Sequence, residues 1–149
     1  MNSAIIDFNR TLYDPDRRVF LPEAFELLQF LRDSGYKIAL ISVDSGNNSD
    51  RIKPVAYFFD FIKILRNKTL GDFEEVAKAL LSKPKDILVI GDRVKFEIKI
   101  GNQLGMKTLW LRTGKFANET PKNELESPTY TFTALTEVIS FLKDKELGG

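Results

Sequence analysis

The residues that could carry chemistry in this sequence are two aspartates, a serine and a lysine, each placed at or just beyond the end of an apolar run. They are Asp7, Ser42, Lys68 and Asp92. Carboxylate oxygens are ligands that Mg²⁺ prefers. A lysine and a metal ion offset the charge of a phosphate, and a hydroxyl donates a hydrogen bond to a phosphoryl oxygen. Gathered in one place, these side chains would suit phosphoryl-group chemistry, with one carboxylate left to attack phosphorus.

The elements that must position these residues alternate between strand-like and helix-like patterns. Apolar runs typical of buried strands occupy residues 4–7, 38–41, 61–65, 87–90 and 108–111, with an edge strand expected at 130–132. Apolar residues at helical spacing predict helices over 22–34, 97–104 and 135–143. A further helix is expected to begin after the N-cap Thr69, to include Leu81 and to end before Pro84. Pro54 limits a further short helix.

This alternation predicts a single α/β domain over residues 1–149. We expect a three-layer α/β/α, Rossmann-like fold with a mainly parallel sheet of five or six strands. In such sheets the carboxyl ends of the strands lie at one edge, outside which ligands bind. The four polar residues are therefore expected at one edge. The segments between them are too short for a separate cap domain, so the site is expected to be open.

The composition excludes several other kinds of site. Histidine and cysteine are both absent from the 149 residues, which rules out Ser-His and Cys-His catalysis, disulfides, and thiolate or imidazole metal sites. A net charge of +1 gives no overall attraction to nucleic acid or to an anionic membrane. With no apolar segment of signal or membrane-spanning type, we expect a cytoplasmic protein.

Three polar segments are interpreted as loops. They cover residues 13–18, 43–50 and 115–129, the last as a surface excursion. The first follows Asp7 closely, so its arginines, Arg17 and Arg18, are candidates to contact an anionic substrate. A solvated, charged loop accounts for the same two residues.

The ordered polar residues resemble the four motifs of the haloacid dehalogenase (HAD) superfamily. The stretch Asp7-Phe8-Asn9-Arg10-Thr11-Leu12 resembles the first motif, and the strand end at Ser42 resembles the second. Lys68 before a helix resembles the third motif, and Gly91-Asp92 followed by Glu97 resembles the fourth. The resemblance extends over roughly residues 4–112.

This resemblance implies a phosphatase that forms an aspartyl-phosphate. It makes Asp7 the nucleophile and Lys68 the cation that bridges nucleophile and phosphate. The phosphate contacts that it implies are Phe8, Asn9, Ser42 and Lys68, and the implied Mg²⁺ ligands are Asp7, Asp92 and the backbone carbonyl of Asn9.

The same resemblance gives Glu97 and Thr11 supporting positions behind these groups. The implied substrate is a phosphorylated compound of unknown class, which an open site allows to be large. Closure of the site by a second subunit, in a homo-oligomer, is also compatible with it.

Asn9 departs from the pattern of the family's phosphatases. They carry a second aspartate at this position, which protonates the leaving oxygen and then activates water. Asparagine cannot shuttle a proton at neutral pH, and such acid-base catalysis contributes about 10²–10⁴-fold. The departure predicts slow turnover, a longer-lived phosphorylated Asp7, and the largest penalty for alkyl phosphates. Arg10 is a second departure at a position that is often small, and either adds positive charge at the mouth of the site or packs outward.

Two other functions are compatible with the same residues. A catalytically inactive HAD-like module would keep the metal or phosphate site for binding or regulation. A receiver-like phosphoacceptor also combines Mg²⁺, aspartate and lysine, but it expects its phosphorylated aspartate at a middle strand, where this chain has Asn67-Lys68. The lack of G-x-G-x-x-G after the first strand argues against dinucleotide binding.

Overall fold

The apolar runs form the strands of one parallel sheet in the computed structural model, which describes residues 3–43 and 48–148. The strands are β1 (Ser3–Asp7), β2 (Tyr13–Asp14), β3 (Val19–Phe20), β4 (Lys37–Val43), β5 (Phe61–Leu65), β6 (Ile87–Gly91), β7 (Lys107–Leu111) and β8 (Tyr130–Phe132). Six of them pair in the order β5-β4-β1-β6-β7-β8, and every neighbouring pair is parallel. The predicted mainly parallel sheet is confirmed.

Helices cover both faces of this sheet. They are α1 (Ala24–Asp33), α2 (Asn48–Ile52), α3 (Leu70–Ala79), α4 (Lys99–Gln103) and α5 (Leu135–Gly148). Successive side chains of a strand point to opposite faces. Ala4 and Ile6 accordingly pack in a core with α1 and α5, whereas Ile5 packs in a second core with α3 and Ile100 of α4. Among the described residues, no helix combines the length and apolar character needed to cross a membrane.

Two helix ends differ from the prediction. The helix expected to include Leu81 ends at Ala79, because the backbone N–H of Ser82 bonds to the carbonyl of Ala77 and closes the last turn. Leu81 takes a left-handed conformation and is 83% exposed, so it lies outside the core. At α1, Glu23 is the N-cap residue with a left-handed backbone, and not a member of the first turn.

The expected loop at residues 13–18 is part of a small hairpin. β2 and β3 pair antiparallel, and the ring of Tyr13 lies 5.2 Å from the rings of both Phe8 and Phe20. Aromatic packing thus holds strands that are too short to show an alternating pattern. Arg17 and Arg18 lie exposed in the turn of this hairpin.

The connection after β6 also departs from a simple helix. A π-helical turn, Val94–Ile98, precedes α4, so the helical segment begins before the predicted Glu97. In the predicted polar loop 43–50, Val43 belongs to β4 and residues 48–50 to α2, while residues 44–47 lie outside the described residues. The short helix limited by Pro54 is α2, followed by a 3₁₀ turn at Lys53–Phe58.

Candidate active site

The carboxyl ends of the central strands bring four charged side chains into one buried group. Asp7 is the last residue of β1, and Asp92 directly follows β6, which pairs with β1. Lys68 follows β5, and its Nζ lies 2.6 Å from Asp7 Oδ1 and 3.2 Å from Glu97 Oε2. All four side chains are largely shielded from solvent. The structure therefore brings together Asp7, Lys68, Asp92 and Glu97.

Glu97 supports this group from behind. Its Oε1 accepts hydrogen bonds from the backbone N–H groups of Asp92, at 3.0 Å, and Arg93, at 3.1 Å. Its Oε2 accepts from Lys68, so both carboxylate oxygens are engaged. The π-helical turn positions this side chain beneath the end of β6. Gly91 makes room for it, since a Cβ there would lie 2.7 Å from Glu97 Cδ and still closer to Cγ and Oε1.

The buried group contains more acids than bases. Burial, together with the neighbouring carboxylates of Asp7 and Glu97, raises the pKa of Asp92 to about 10, and burial is the largest cause. Burial also raises the pKa of Glu97, against the opposing charge of Lys68. Burial alone would lower the pKa of Lys68, but the two carboxylates that it contacts raise it well above its ordinary value. Without a further cation, a proton on Asp92 therefore relieves the repulsion.

This charge imbalance fits a divalent cation. One carboxylate oxygen from each of Asp7, Asp92 and Glu97 lies within 4.8 Å of the others. Hard oxygen donors with excess negative charge are what Mg²⁺ requires. Asp7 and Asp92 line the cavity and Glu97 does not, so Asp7 and Asp92 are the carboxylates placed to ligate, whereas Glu97, which holds two backbone N–H groups and Lys68, is placed to orient.

The residues after Asp7 have different surroundings. Thr11 is fully buried, and its hydroxyl donates to Asp7 Oδ2 at 3.3 Å. Phe8 is fully buried with its ring in the core, so its side chain is not placed to touch a phosphate. Asn9 lines the cavity beside Asp7, and its Oδ1 is buried with no hydrogen-bond partner among the described residues.

Ser42 is less directly placed. It is fully buried near the end of β4, in register with Ile64 of β5. Its neighbour Val43 lines the cavity above Asp7, whereas Ser42 is not among the lining residues. The contact between Ser42 and a phosphate stays a prediction.

A cavity of about 360 Å³ opens over Asp7. From the predicted set, its walls include Asp7, Asn9, Lys68 and Asp92. The remaining lining residues are Arg10, Val43, Arg66, Asn67, Arg93, Phe96 and Phe116. Of the two alternatives considered for Arg10, the structure favours the mouth of the site over outward packing. Arg17 and Arg18, in contrast, do not line the cavity.

One wall comes from the segment that was expected to be a surface excursion. The guanidinium of Arg93 lies 3.7 Å from the ring centroid of Phe116. Glu119 accepts hydrogen bonds from Arg93 Nε, at 3.1 Å, and from the backbone N–H of Val94, at 3.0 Å. The expectation was wrong for Phe116 and Glu119, because these contacts fold the segment back over the site. A phenylalanine in a polar stretch after the end of β7 was the available signal.

Comparisons with known proteins agree with this arrangement. Residues 69–138 match the family model described as HAD-hydrolase-like. The chain is 24% identical over 133 residues to the glyceraldehyde 3-phosphate phosphatase of Methanopyrus kandleri, covering 83% of this chain and 56% of that protein. This chain thus spans little more than half the length of that relative.

Two solved structures share the fold. The HAD phosphatase from Thermococcus onnurineus has a TM-score of 0.80 and 14% identity, over 95% of this chain and 98% of its own. The D,D-heptose 1,7-bisphosphate phosphatase from B. bronchiseptica, complexed with magnesium and phosphate, has a TM-score of 0.79 and 16% identity, over 97% and 99%. These two likenesses show that the chain shares its fold with these phosphatases, and the family match itself is confined to residues 69–138.

Proposed function

We propose that this chain is a Mg²⁺-dependent phosphomonoesterase that works through a phosphorylated Asp7 and is slowed by Asn9. The observation that carries the proposal is the buried contact between Asp7 and Lys68, beside Asp92 and open to the cavity. Perturbed titratable groups converging in a cleft are typical of catalytic sites. The phosphatase names of the relative and of the solved structures support the same reaction class.

In the first step a carboxylate oxygen of Asp7 attacks phosphorus. The bond from that oxygen to phosphorus forms while the bond from phosphorus to the leaving oxygen breaks, and the leaving oxygen keeps the electron pair. Lys68 holds the Asp7 carboxylate in place and offsets the charge of the phosphoryl group. Mg²⁺ held by Asp7, Asp92 and the Asn9 carbonyl would neutralise further charge on the phosphate.

The second step consumes water. A water oxygen attacks phosphorus, and the bond to the Asp7 oxygen breaks, which frees inorganic phosphate and restores the carboxylate. Asn9 can hydrogen-bond to that water or to the leaving group, but it can neither donate nor remove a proton at neutral pH. Leaving groups that depart as stable anions, such as aryl and acyl groups, should therefore be favoured over alkyl groups.

Hydrolysis of p-nitrophenyl phosphate with Mg²⁺ tests this proposal. Wild-type turnover should be slow, Asp7→Asn should abolish it, and Asn9→Asp should raise kcat by about 10²-fold through the restored base. Incubation with acetyl phosphate should leave acid-stable phosphoprotein in wild type and not in Asp7→Asn. Turnover that survives in Asp7→Asn would contradict the proposal.

Asn9 also favours a second candidate, a binding or regulatory module. Such a module would bind Mg²⁺ through Asp7 and Asp92 without turning over phosphate esters. Normal Mg²⁺ affinity with no turnover, even in Asn9→Asp, would support this candidate over the first.

We further infer that the cavity has no cap domain. Between β1 and β4 the described residues form the β2–β3 hairpin and α1, and the described part of the next connection forms α2 and a 3₁₀ turn. An open site admits phosphorylated substrates of varied size, and closure by a second subunit stays a prediction.

A further inference from the structure

The cavity contains more cationic groups than one phosphate needs. We infer that the substrate carries a second anionic group, a carboxylate or a second phosphate, and that Arg10 binds it. The inference rests on the proposed function in placing the reacting phosphoryl group at Asp7. It adds the class of substrate and the residue that selects it.

Arg10 is held in the cavity with part of its hydrogen-bonding capacity unused. Its backbone is left-handed, with φ of 62°, and its N–H bonds to the carbonyl of Tyr13 at 2.6 Å. Its Nε is buried and has no hydrogen-bond partner among the described residues. Buried N–H groups in proteins are nearly always paired, so a group without a partner needs an explanation. Arg10 lines the cavity and its side chain is 21% exposed, so a bound anion that draws the guanidinium into the cavity would supply the missing acceptor.

The nearest acid does not satisfy Arg10. Its ion pair with Asp16 spans 3.6 Å, and the Asp16 side chain is 74% exposed, so solvent screens the pair. The ring centroid of Phe116 lies 5.4 Å from the Arg10 guanidinium carbon. This ring limits where the guanidinium can go and adds no acceptor for its N–H groups.

The neighbouring cations leave the mouth of the cavity positive. Arg66 and Arg93 line the same cavity, although the Nε of Arg93 already donates a hydrogen bond to Glu119. The acids in the cavity wall are Asp7 and Asp92, beside Lys68, where a bound metal ion and the reacting phosphoryl group would offset their charge. Arginine presents a planar fork that matches a carboxylate or phosphate. A substrate whose remainder carries an anionic group therefore fits the mouth better than one whose remainder is neutral.

Equilibrium binding of phosphonates that cannot be hydrolysed tests the inference without relying on turnover. The probes are 3- and 4-carboxybenzylphosphonate, each compared by calorimetry with its neutral carboxamide in the presence of Mg²⁺. The variants are Arg10→Gln, Arg10→Lys and Arg18→Gln. Arg18 is the matched control, since it is also an arginine with a left-handed backbone, φ 57°, but lies exposed and outside the cavity.

Wild type and Arg18→Gln should bind at least one carboxylate probe about 10-fold or more tightly than its amide. Arg10→Gln should lose this preference while keeping the wild-type affinity for the amide, which also shows that the site is intact. Arg10→Lys should retain part of the preference for the carboxylate probe over its amide. Equal binding of acid and amide at both ring positions in wild type, or no binding of any probe, overturns the inference. A preference that persists in Arg10→Gln overturns the role of Arg10.

Failure of this inference can be distinguished from failure of the proposed function. A carboxylate preference that depends on Arg10, found without any p-nitrophenyl phosphate turnover, would keep the anion site and reject the hydrolase. Turnover that depends on Asp7, found without such a preference, would do the reverse.

Discussion

Replacing Asp92 with asparagine should stabilise the metal-free protein at neutral pH. Asp92 is only 3% exposed, and burial together with the charges of Asp7 and Glu97 raises its pKa to about 10. An asparagine keeps the shape of the protonated side chain and its capacity to donate to Asp7. It never has to ionise or to take up a proton on folding, so the substitution removes that requirement.

The magnitude follows from proton linkage. In the unfolded chain the Asp92 carboxyl returns to a pKa of 3.8, so at pH 7 it is ionised there and protonated in the folded protein. One pKa unit corresponds to about 1.4 kcal/mol, and pH 7 lies about 3 units above 3.8. Protonating Asp92 on folding therefore lowers the free energy of unfolding by about 4 kcal/mol at pH 7. Since the folded state binds the extra proton, the stability of wild type falls as pH rises from 3.8 toward about 10.

Urea denaturation in EDTA, repeated between about pH 5 and pH 8, measures this effect. The free energy of unfolding of Asp92→Asn minus that of wild type should be positive and should grow by about 1.4 kcal/mol for each pH unit. Asp144→Asn, at an exposed aspartate of α5, is the control and should show no such growth. Added Mg²⁺ should stabilise wild type and not Asp92→Asn. A difference that is negative, or constant across the pH range, would refute the reasoning.

Two further substitutions test the support of the site. Gly91→Ala should destabilise the protein by about 2–3 kcal/mol and weaken Mg²⁺ binding, because the new Cβ displaces Glu97 from its backbone donors. Gly71→Ala, where the nearest atom is 3.9 Å away, is its control in urea denaturation, and equal effects of the two would count against it. Lys68→Met should cost about 3–5 kcal/mol near pH 8, because it leaves buried carboxylates without their cation, and less near pH 5, where they protonate more easily. Lys143→Met, in an exposed ion pair with Glu26, should cost under about 1 kcal/mol, and a loss for Lys68→Met that does not depend on pH would contradict this account.

The sheet and the base of the site were predictable because they depend on strong local patterns. Runs such as Ile87–Ile90 are apolar throughout, as central parallel strands must be, and the topology then brings their ends together. The N-cap role of Thr69 was also predictable from the sequence, and the structure shows it forming a capping box with Asp72 at the start of α3. The meeting of Asp7, Lys68 and Asp92 follows from these elements alone.

The walls of the cavity depend on contacts that local patterns do not encode. The π-helical turn that positions Glu97 has no helical signature distinct from an ordinary first turn. Phe116 reaches the site only because Glu119 fixes Arg93 across a long stretch of chain. The orientation of Arg10 depends on a left-handed backbone, which is uncommon for arginine. Each of these features becomes visible only once the tertiary structure is known.

The segment between β7 and β8 contributes to the mouth of the cavity, whereas the strand ends hold the carboxylates proposed to react. It supplies Phe116 to the mouth and Glu119 to Arg93, while its far end is held by Asn102 of α4, which donates to the carbonyls of Leu125 and Ser127. None of residues 112–129 pairs in the sheet, and the strand ends that hold Asp7 and Asp92 stand without it. Apart from Glu119, which accepts from Val94 in the turn after Asp92, residues of this segment can therefore change without disturbing the reacting carboxylates. A lineage of such chains would then vary the Phe116 side of the mouth by changing one short connection, with the strands and Arg10 inherited unchanged.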